Sequence, residues 1–149
     1  MRVGIADTTF ARTDMAAWAL DELKGVETER YTVPGMKDLA LAAKRLVERH
    51  GCGVVLALAW VGRAPIDETC AHEANLALAQ AELMADAHIL KVFVHESEAK
   101  DPKALAALAE DRVRKHARNA LALLTGKTAL TKAAGQGKRQ GMKDAGGFR

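Results

Sequence analysis

The chain has 149 residues, the size of one domain, and its 28% charged and 49% hydrophobic fractions are those of a globular protein. No apolar run reaches the roughly 20 residues of a membrane-spanning helix, and the first ten residues are typical of a strand rather than a signal peptide. Two cysteines, Cys52 and Cys70, are too few for a disulfide framework and suit a reducing compartment. We therefore expect a soluble, cytoplasmic protein.

The net charge of +3 is unevenly distributed. Residues 125–149 contain six Lys or Arg, one Asp and six Gly, a net charge of +5, which leaves −2 for residues 1–124. The segment has no clear apolar period, so we expect a loop, a disordered end or a segment ordered against a partner. Its charge alone would also fit a basic arm that binds RNA.

The first 124 residues alternate between strand and helix patterns. Apolar residues repeated every three or four positions indicate helices, and β-branched or continuous apolar runs indicate strands. The run at 53–59 is apolar without alternation, as expected for a central parallel strand buried on both faces. In chain order, the predicted elements are strand 2–6, helix 13–24, strand 26–33, helix 39–50, strand 53–59, helix 67–85, strand 88–95 and helix 102–124.

This alternation predicts an α/β fold in which a four-stranded parallel sheet has helices on both faces, a three-layer α/β/α arrangement. We expect residues 1–124 to form this single domain and residues 125–149 to form a basic, glycine-rich tail. Ligands of such sheets bind beyond the carboxyl ends of the strands. The predicted site therefore gathers the segments that follow the four strands, at 7–10, 33–38, 59–62 and 94–96.

The predicted site offers an aromatic ring, hydroxyls, an acid, a lysine and a histidine, which suits a planar polar ligand. Phe10 can stack on such a ligand, and Asp38 can accept hydrogen bonds from its hydroxyls. The segment after the first strand, DTTFARTD, does not match G-x-G-x-x-G, and the sequence has no P-loop or G-x-S-x-G motif. These differences argue against a dinucleotide enzyme, an NTPase and a serine hydrolase.

A polar segment, VGRAPIDETCAHEAN, follows the third strand. Glu68 and His72 share one face of the predicted helix, where they form either a solvated ion pair or part of the site. Cys70 falls on the opposite, small and apolar face, so we expect a core thiol and no zinc site. The candidates for general acid–base catalysis are His72 and His95, and His95 is adjacent to Glu96. Structural roles are expected for the other histidines, His50, His88 and His116.

Seven segments together resemble the archaeal type of riboflavin synthase, which is similar to lumazine synthase. No single segment is diagnostic, but their order and the unusual tail make the resemblance specific, and it covers nearly the whole chain. The segments are VGIADTTFARTDMA at 3–16, RYTVPGMKDL at 30–39, GCGVVLALAWVG at 51–62, CAHEANL at 70–76, FVHESEAKD at 93–101, RVRKHARNAL at 112–121 and GQGKRQGMKDAG at 135–146.

The resemblance implies a lumazine synthase-like, flavodoxin-like fold and the last step of riboflavin biosynthesis. Two molecules of 6,7-dimethyl-8-(1-D-ribityl)lumazine exchange a four-carbon unit, giving riboflavin and 5-amino-6-(D-ribitylamino)uracil. It also implies a homopentamer with sites between subunits, no organic cofactor, and a divalent cation such as magnesium at a site that the sequence does not identify. Neither nucleic acid nor membrane is an expected partner.

The resemblance also assigns site residues by position. Phe10 matches the aromatic residue that stacks on the heterocycle, and Asp38 matches the acid that holds the ribityl hydroxyls. Arg139 and Gln140 are expected to reach a site in the same or a neighbouring subunit. The predicted catalytic residues are His72 and His95. The predicted substrate-binding residues are Thr9, Phe10, Pro34, Gly35, Lys37, Asp38, Trp60, Val61, Glu68, Glu96, Arg139 and Gln140, and no metal ligand is assigned.

The sequence differs from the lumazine synthases at one position that is important for catalysis. When Glu73 and Ala74 are aligned with the equivalent pair of those enzymes, Ile66 takes the place of their catalytic histidine. We therefore favour the riboflavin-forming reaction. Two alternatives stay open: a 6,7-dimethyl-8-ribityllumazine synthase, and a non-catalytic flavodoxin-like domain that only binds a ligand.

Overall fold

Four strands and four helices alternate in the computed structural model, which describes residues 1–148 and confirms the predicted order. None of the described helices combines the length and apolar composition needed to span a lipid bilayer. The main elements are β1 (Arg2–Thr8), α1 (Met15–Glu22), β2 (Glu27–Val33), α2 (Leu39–His50), β3 (Cys52–Val61), α3 (Pro65–Ala85), β4 (His88–His95) and α4 (Pro102–Thr125). Short 3-10 helices lie at Met36–Asp38, Glu96–Glu98 and Thr131–Ala133.

The strands form one parallel sheet in the order β2-β1-β3-β4. The apolar run in β3 is buried from Val54 to Val61, because helices cover both faces of the sheet. At the carboxyl edge, Thr8 pairs with Val33, and Val61 pairs with His95. The ends of all four strands therefore meet at one edge, as the predicted site requires.

Side chains of alternate strand residues divide the core into two layers. One layer packs against α1 and α4, and it includes Trp60 and Val94. The other packs against α2 and α3, and it includes Val61 and Phe93. The three-layer α/β/α arrangement is thus confirmed, and consecutive residues at a strand end face opposite sides of the sheet.

Element boundaries differ from the predictions mainly at the functional edge. β1 continues to Thr8, because Asp7 and Thr8 keep pairing with β2 although their polar side chains end the apolar pattern. α3 begins at Pro65 rather than at residue 67, since proline suits the first helical position, where its missing N–H is not needed. Asp67 then accepts a hydrogen bond from the backbone N–H of Ala64, at 3.1 Å.

The tail folds back onto α4. Gly141 is buried there, and Lys115 of α4 donates a hydrogen bond to the backbone carbonyl of Met142. The chain then turns, since the Ala145 N–H donates to the Gly137 carbonyl at 2.9 Å. Of the conformations expected for the tail, the structure therefore shows a loop, and this loop packs against the chain's own last helix.

Candidate active site

A cavity of about 410 Å³ lies where β1 and β2 end and α3 begins. Five of the predicted substrate-binding residues line it, together with three residues that were not predicted for the site. The predicted residues are Phe10, Pro34, Gly35, Lys37 and Asp38, and the additional ones are Met36, Asp67 and Cys70.

The ring of Phe10 forms a wall of this cavity with 51% of the residue exposed. It lies beside Gly62 at the end of β3, where an added Cβ would come within 3.4 Å of the Phe10 Cζ and 2.4 Å of an Asp67 carboxylate oxygen. Because Gly62 has no side chain, β3 and α3 can approach the ring closely. The exposed part of the ring is left free to contact a planar ligand.

The cavity is also lined by one carboxylate and one ammonium group. The Asp38 carboxylate accepts the Gly35 N–H at 3.3 Å, which leaves its other oxygen available to a ligand. Lys37 forms an ion pair with Glu73 at 2.9 Å, and this hydrogen bond raises the pKa of Lys37 above its ordinary value. A carboxylate beside an ammonium group can bind several hydroxyls of a polyol chain.

His95 lies at the end of β4, two strands away from Phe10. Its Nδ1 is 2.9 Å from a carboxylate oxygen of Glu68 in the first turns of α3. The carboxylate can only accept, so Nδ1 is the donor in this contact, and in the neutral imidazole Nε2 would be left as an acceptor. Glu68 follows Asp67 of the Phe10 cavity, so the histidine and the cavity share the start of α3. Of the two alternatives for Glu68 and His72, the structure does not show the ion pair between them, because Glu68 pairs with His95 instead.

Trp60 and Glu96 lie on the opposite side of the sheet from Phe10, facing α1 and α4. The Trp60 indole N–H donates to Glu96 at 2.8 Å, and Arg12 contacts the same carboxylate oxygen at 3.1 Å. The hydrogen bond from Trp60 lowers the pKa of Glu96, while burial opposes this change. The predicted roles of these two residues in substrate binding therefore cannot be fulfilled in the Phe10 cavity of the same chain, because strand side chains alternate between faces.

The other predicted residues are dispersed. Arg139 and Gln140 line a separate basic cavity of about 590 Å³ between the tail and α4, which does not adjoin Phe10 within one chain. His72 is exposed on α3 and does not line the Phe10 cavity. Thr9 donates a hydrogen bond to the Pro34 carbonyl at 3.2 Å. Val61 is fully buried, so it can offer only its backbone to a ligand.

Residues 1–128 match the family model of 6,7-dimethyl-8-ribityllumazine synthase. The chain belongs to this family. The match covers most of this chain, from β1 to the residues just after α4.

Curated relatives are similar over nearly the whole length of both chains. A riboflavin synthase from Methanothermobacter thermautotrophicus is 51% identical, over 98% of this chain and 98% of its own. Riboflavin synthases from Archaeoglobus fulgidus and Aeropyrum pernix are 47% and 48% identical, with at least 96% of each chain covered. This family member is thus closely similar to relatives that carry the name of the riboflavin-forming enzyme.

Cys70 was expected in the core but is half-buried and lines the Phe10 cavity. Ala71 is the first residue of α3 that packs in the apolar core, and Cys70 lies one position before it, on the part of the helix that meets the cavity. Asp67 and Cys70 are three residues apart and share one face of the helix. The spacing of three residues between Cys70 and Asp67, which caps the helix start, could have predicted from the sequence that Cys70 lines the cavity.

The resemblance implies a divalent cation such as magnesium, at a site that stays unassigned. Among residues 1–148, no group of three or more His, Cys, Asp or Glu side chains is placed to hold one ion. The Glu68 carboxylate is already used by His95, and that of Glu96 by Trp60 and Arg12. Within one chain these two carboxylates are therefore engaged by protein groups, and the magnesium ion stays a prediction.

Proposed function

We propose that this protein is a riboflavin synthase that converts two molecules of 6,7-dimethyl-8-ribityllumazine into riboflavin and 5-amino-6-ribitylaminouracil. The observation that carries the proposal is the identity of 47–51% to archaeal riboflavin synthases over nearly the full length of both chains. Ile66, exposed beside the cavity residue Asp67, supports the riboflavin-forming reaction, because lumazine synthases use a histidine at the equivalent position.

The Phe10 cavity binds one lumazine molecule in this proposal. The planar heterocycle stacks on the exposed part of the Phe10 ring, and its ribityl chain extends towards Lys37 and Asp38. Backbone groups of the turn at Pro34 and Gly35 contact the edge of the ring system. We also propose that no organic cofactor is needed, because one substrate molecule gives up the four carbons that the other gains.

His95 acts as the general base in this reaction. The C7 methyl group of the lumazine is acidic, because its carbanion delocalises into the ring, so a modest base suffices. Glu68 fixes the imidazole through Nδ1, and Nε2 then accepts the methyl proton. Most of the remaining acceleration comes from holding two substrate molecules in contact with each other.

We further propose a cytoplasmic homopentamer with sites between subunits. Large apolar side chains stay exposed on the outer surfaces of α2 and α3, where a second copy would cover them. They are Leu41, Leu76, Leu83 and Met84. Native mass spectrometry should give a mass near five times 16.0 kDa, and a monomer at micromolar concentration would contradict this assembly.

A turnover assay on the purified protein tests the function directly. Incubation with 6,7-dimethyl-8-ribityllumazine, with and without magnesium, should produce riboflavin, which is detected by its fluorescence. Formation of lumazine from the aminouracil and butanone phosphate would instead show a lumazine synthase. Tight lumazine binding without turnover would show a non-catalytic binding domain, and either result would refute the proposal.

Substitution of the histidines tests the assignment of the base. His95→Ala should reduce kcat by about 10²- to 10⁴-fold, the usual contribution of general base catalysis. His88→Ala is the matched control, because that histidine is exposed at the opposite edge of the sheet. If His72→Ala loses far more activity than His95→Ala, then His72 is the base and the assignment to His95 is wrong.

A further inference from the structure

Arg112 is a buried cation in the middle of α4 that the proposed reaction does not use. Its guanidinium donates to both carboxylate oxygens of Glu98, at 2.6 and 2.7 Å, and to the backbone carbonyl of Phe93 at 2.7 Å. A bidentate pair of this kind fixes both partners in orientation as well as in position. Arg112 therefore holds β4 and the turn that follows it against α4.

Glu98 connects this ion pair to His95. The same carboxylate oxygen that accepts from Arg112 also accepts the backbone N–H of His95, at 3.0 Å. The imidazole of His95 is bound separately by Glu68. The position of His95 is thus set by two carboxylates, one acting on its backbone and one on its ring.

The tail covers the Arg112 side chain. Gly141 is buried with φ +87°, and a Cβ added there would lie 2.3 Å from the Arg112 Nε and 2.5 Å from its Cβ. Lys115, one turn further along α4, donates to the Met142 carbonyl at 3.3 Å and holds the tail in place. By limiting water around Arg112, the tail strengthens the hydrogen bonds between Arg112 and Glu98.

We propose that the tail around Gly141 positions His95 for catalysis through Arg112 and Glu98, which makes Arg112 and Glu98 positioning residues. This inference rests on the proposed function, because it treats His95 as the base. The tail is thus part of the active site although none of its described residues lines the Phe10 cavity. Loosening of the tail should lower kcat more than it raises KM, because the loss concerns the base and not the substrate-binding cavity.

Gly141→Ala and Gly146→Ala form a matched pair of variants for the test. Both glycines have positive φ, +87° and +79°, so an alanine strains the backbone similarly at either position. Only at Gly141 does the new methyl group collide with Arg112, since nothing lies within 4 Å of the added Cβ at Gly146. A difference between the two variants therefore reports the contact with Arg112.

Hydrogen exchange of the His95 amide gives a readout that does not need turnover. We expect Gly141→Ala to speed exchange at His95 by about tenfold, as for a weakened hydrogen bond to a charged group, and to lower kcat similarly. Gly146→Ala should leave both unchanged. Equal exchange rates at His95 in the two variants would overturn the inference. If wild-type protein makes no riboflavin, the proposed function fails, while the exchange experiment still tests the link from tail to His95.

Arg112→Lys gives a second test that leaves the tail sequence intact. Lysine keeps the charge but loses the bidentate contact with Glu98, so exchange at His95 should again be faster. Combined with Gly141→Ala, it should have no additional effect, because both substitutions break the same link. Additive effects of the two substitutions on His95 exchange would show that the tail does not act through Arg112, and would refute the proposed route.

Discussion

Replacement of Phe10 by alanine should weaken flavin binding by about 5- to 150-fold. The estimate follows from the position of the ring: its Cζ lies beside Gly62, and 51% of the residue is exposed and can contact a stacked heterocycle. Stacking of one base on an aromatic side chain contributes about 1–3 kcal/mol, as judged by alanine substitution. Phe10→Tyr keeps the ring and should retain affinity within about twofold of the wild type.

Quenching of riboflavin fluorescence measures this affinity without turnover, because riboflavin is the product. Phe148→Ala is the matched control, since Phe148 is fully exposed in the tail and does not line the Phe10 cavity. Circular dichroism and urea unfolding of each variant establish that the fold is intact. If Phe10→Ala binds riboflavin as tightly as wild type, the heterocycle does not stack on Phe10, and the proposed binding mode is wrong.

Three further predictions concern thiols, packing and acid stability. Cys70 lines the cavity and is half-buried, so it should react with thiol reagents and be protected by bound riboflavin. Burial raises the pKa of Cys52 to about 11 and should prevent its reaction, so equal labelling rates of the two thiols would contradict this prediction. Gly4→Ala should lower the free energy of unfolding in urea by about 1–3 kcal/mol, because the new Cβ would lie 2.9 Å from a side chain of β3. Gly53→Ala should lower it less, because the new Cβ would meet only the flexible end of a leucine side chain. The reverse order would contradict this prediction. Burial alone would raise the pKa of Glu98, but hydrogen bonding to Arg112 lowers it below the ordinary value of 4.5. The ionised Glu98 therefore stabilises the fold fully above pH 4.5, and this stabilisation is lost as the pH falls through the lowered pKa. When the pH is lowered from about 5 to about 3, the free energy of unfolding in urea should therefore fall less for Glu98→Gln than for the wild type. An equal fall in both proteins would contradict this prediction.

The fold was predictable because periodicity and chain order determine it together. The continuous apolar run of β3 indicated a central parallel strand, and strict alternation with helices then required one common edge for all strand ends. That edge brings Phe10, Pro34 and Asp38 together, although up to 28 residues separate them. Their assignment to one site needed only the topology, whereas their roles in binding stay predictions.

The sequence could not show which side of the sheet each strand end faces. Trp60 and Val61 are consecutive and both lie at the functional edge, yet only the structure shows that Trp60 faces Glu96 and Arg12 on the α1 and α4 side. The contact of Gly141 with Arg112 was equally hidden, because a glycine gives no apolar signal. Side-chain direction and close backbone approach are tertiary properties, and local patterns do not encode them.

The end of β4 is held from both sides of the sheet, which constrains the approach of the substrate in the proposed reaction. Glu96 is bound on one face by Trp60 and Arg12, while His95 is bound on the other face by Glu68. In the proposed reaction His95 is a base whose ring is held in place, so the reacting methyl group has to come to its Nε2. One chain offers a single exposed ring for stacking in the Phe10 cavity, whereas the reaction needs two lumazines in contact. We therefore propose that the second lumazine lies over the first, on the open side of the cavity, where a neighbouring subunit of the proposed pentamer would supply the remaining wall.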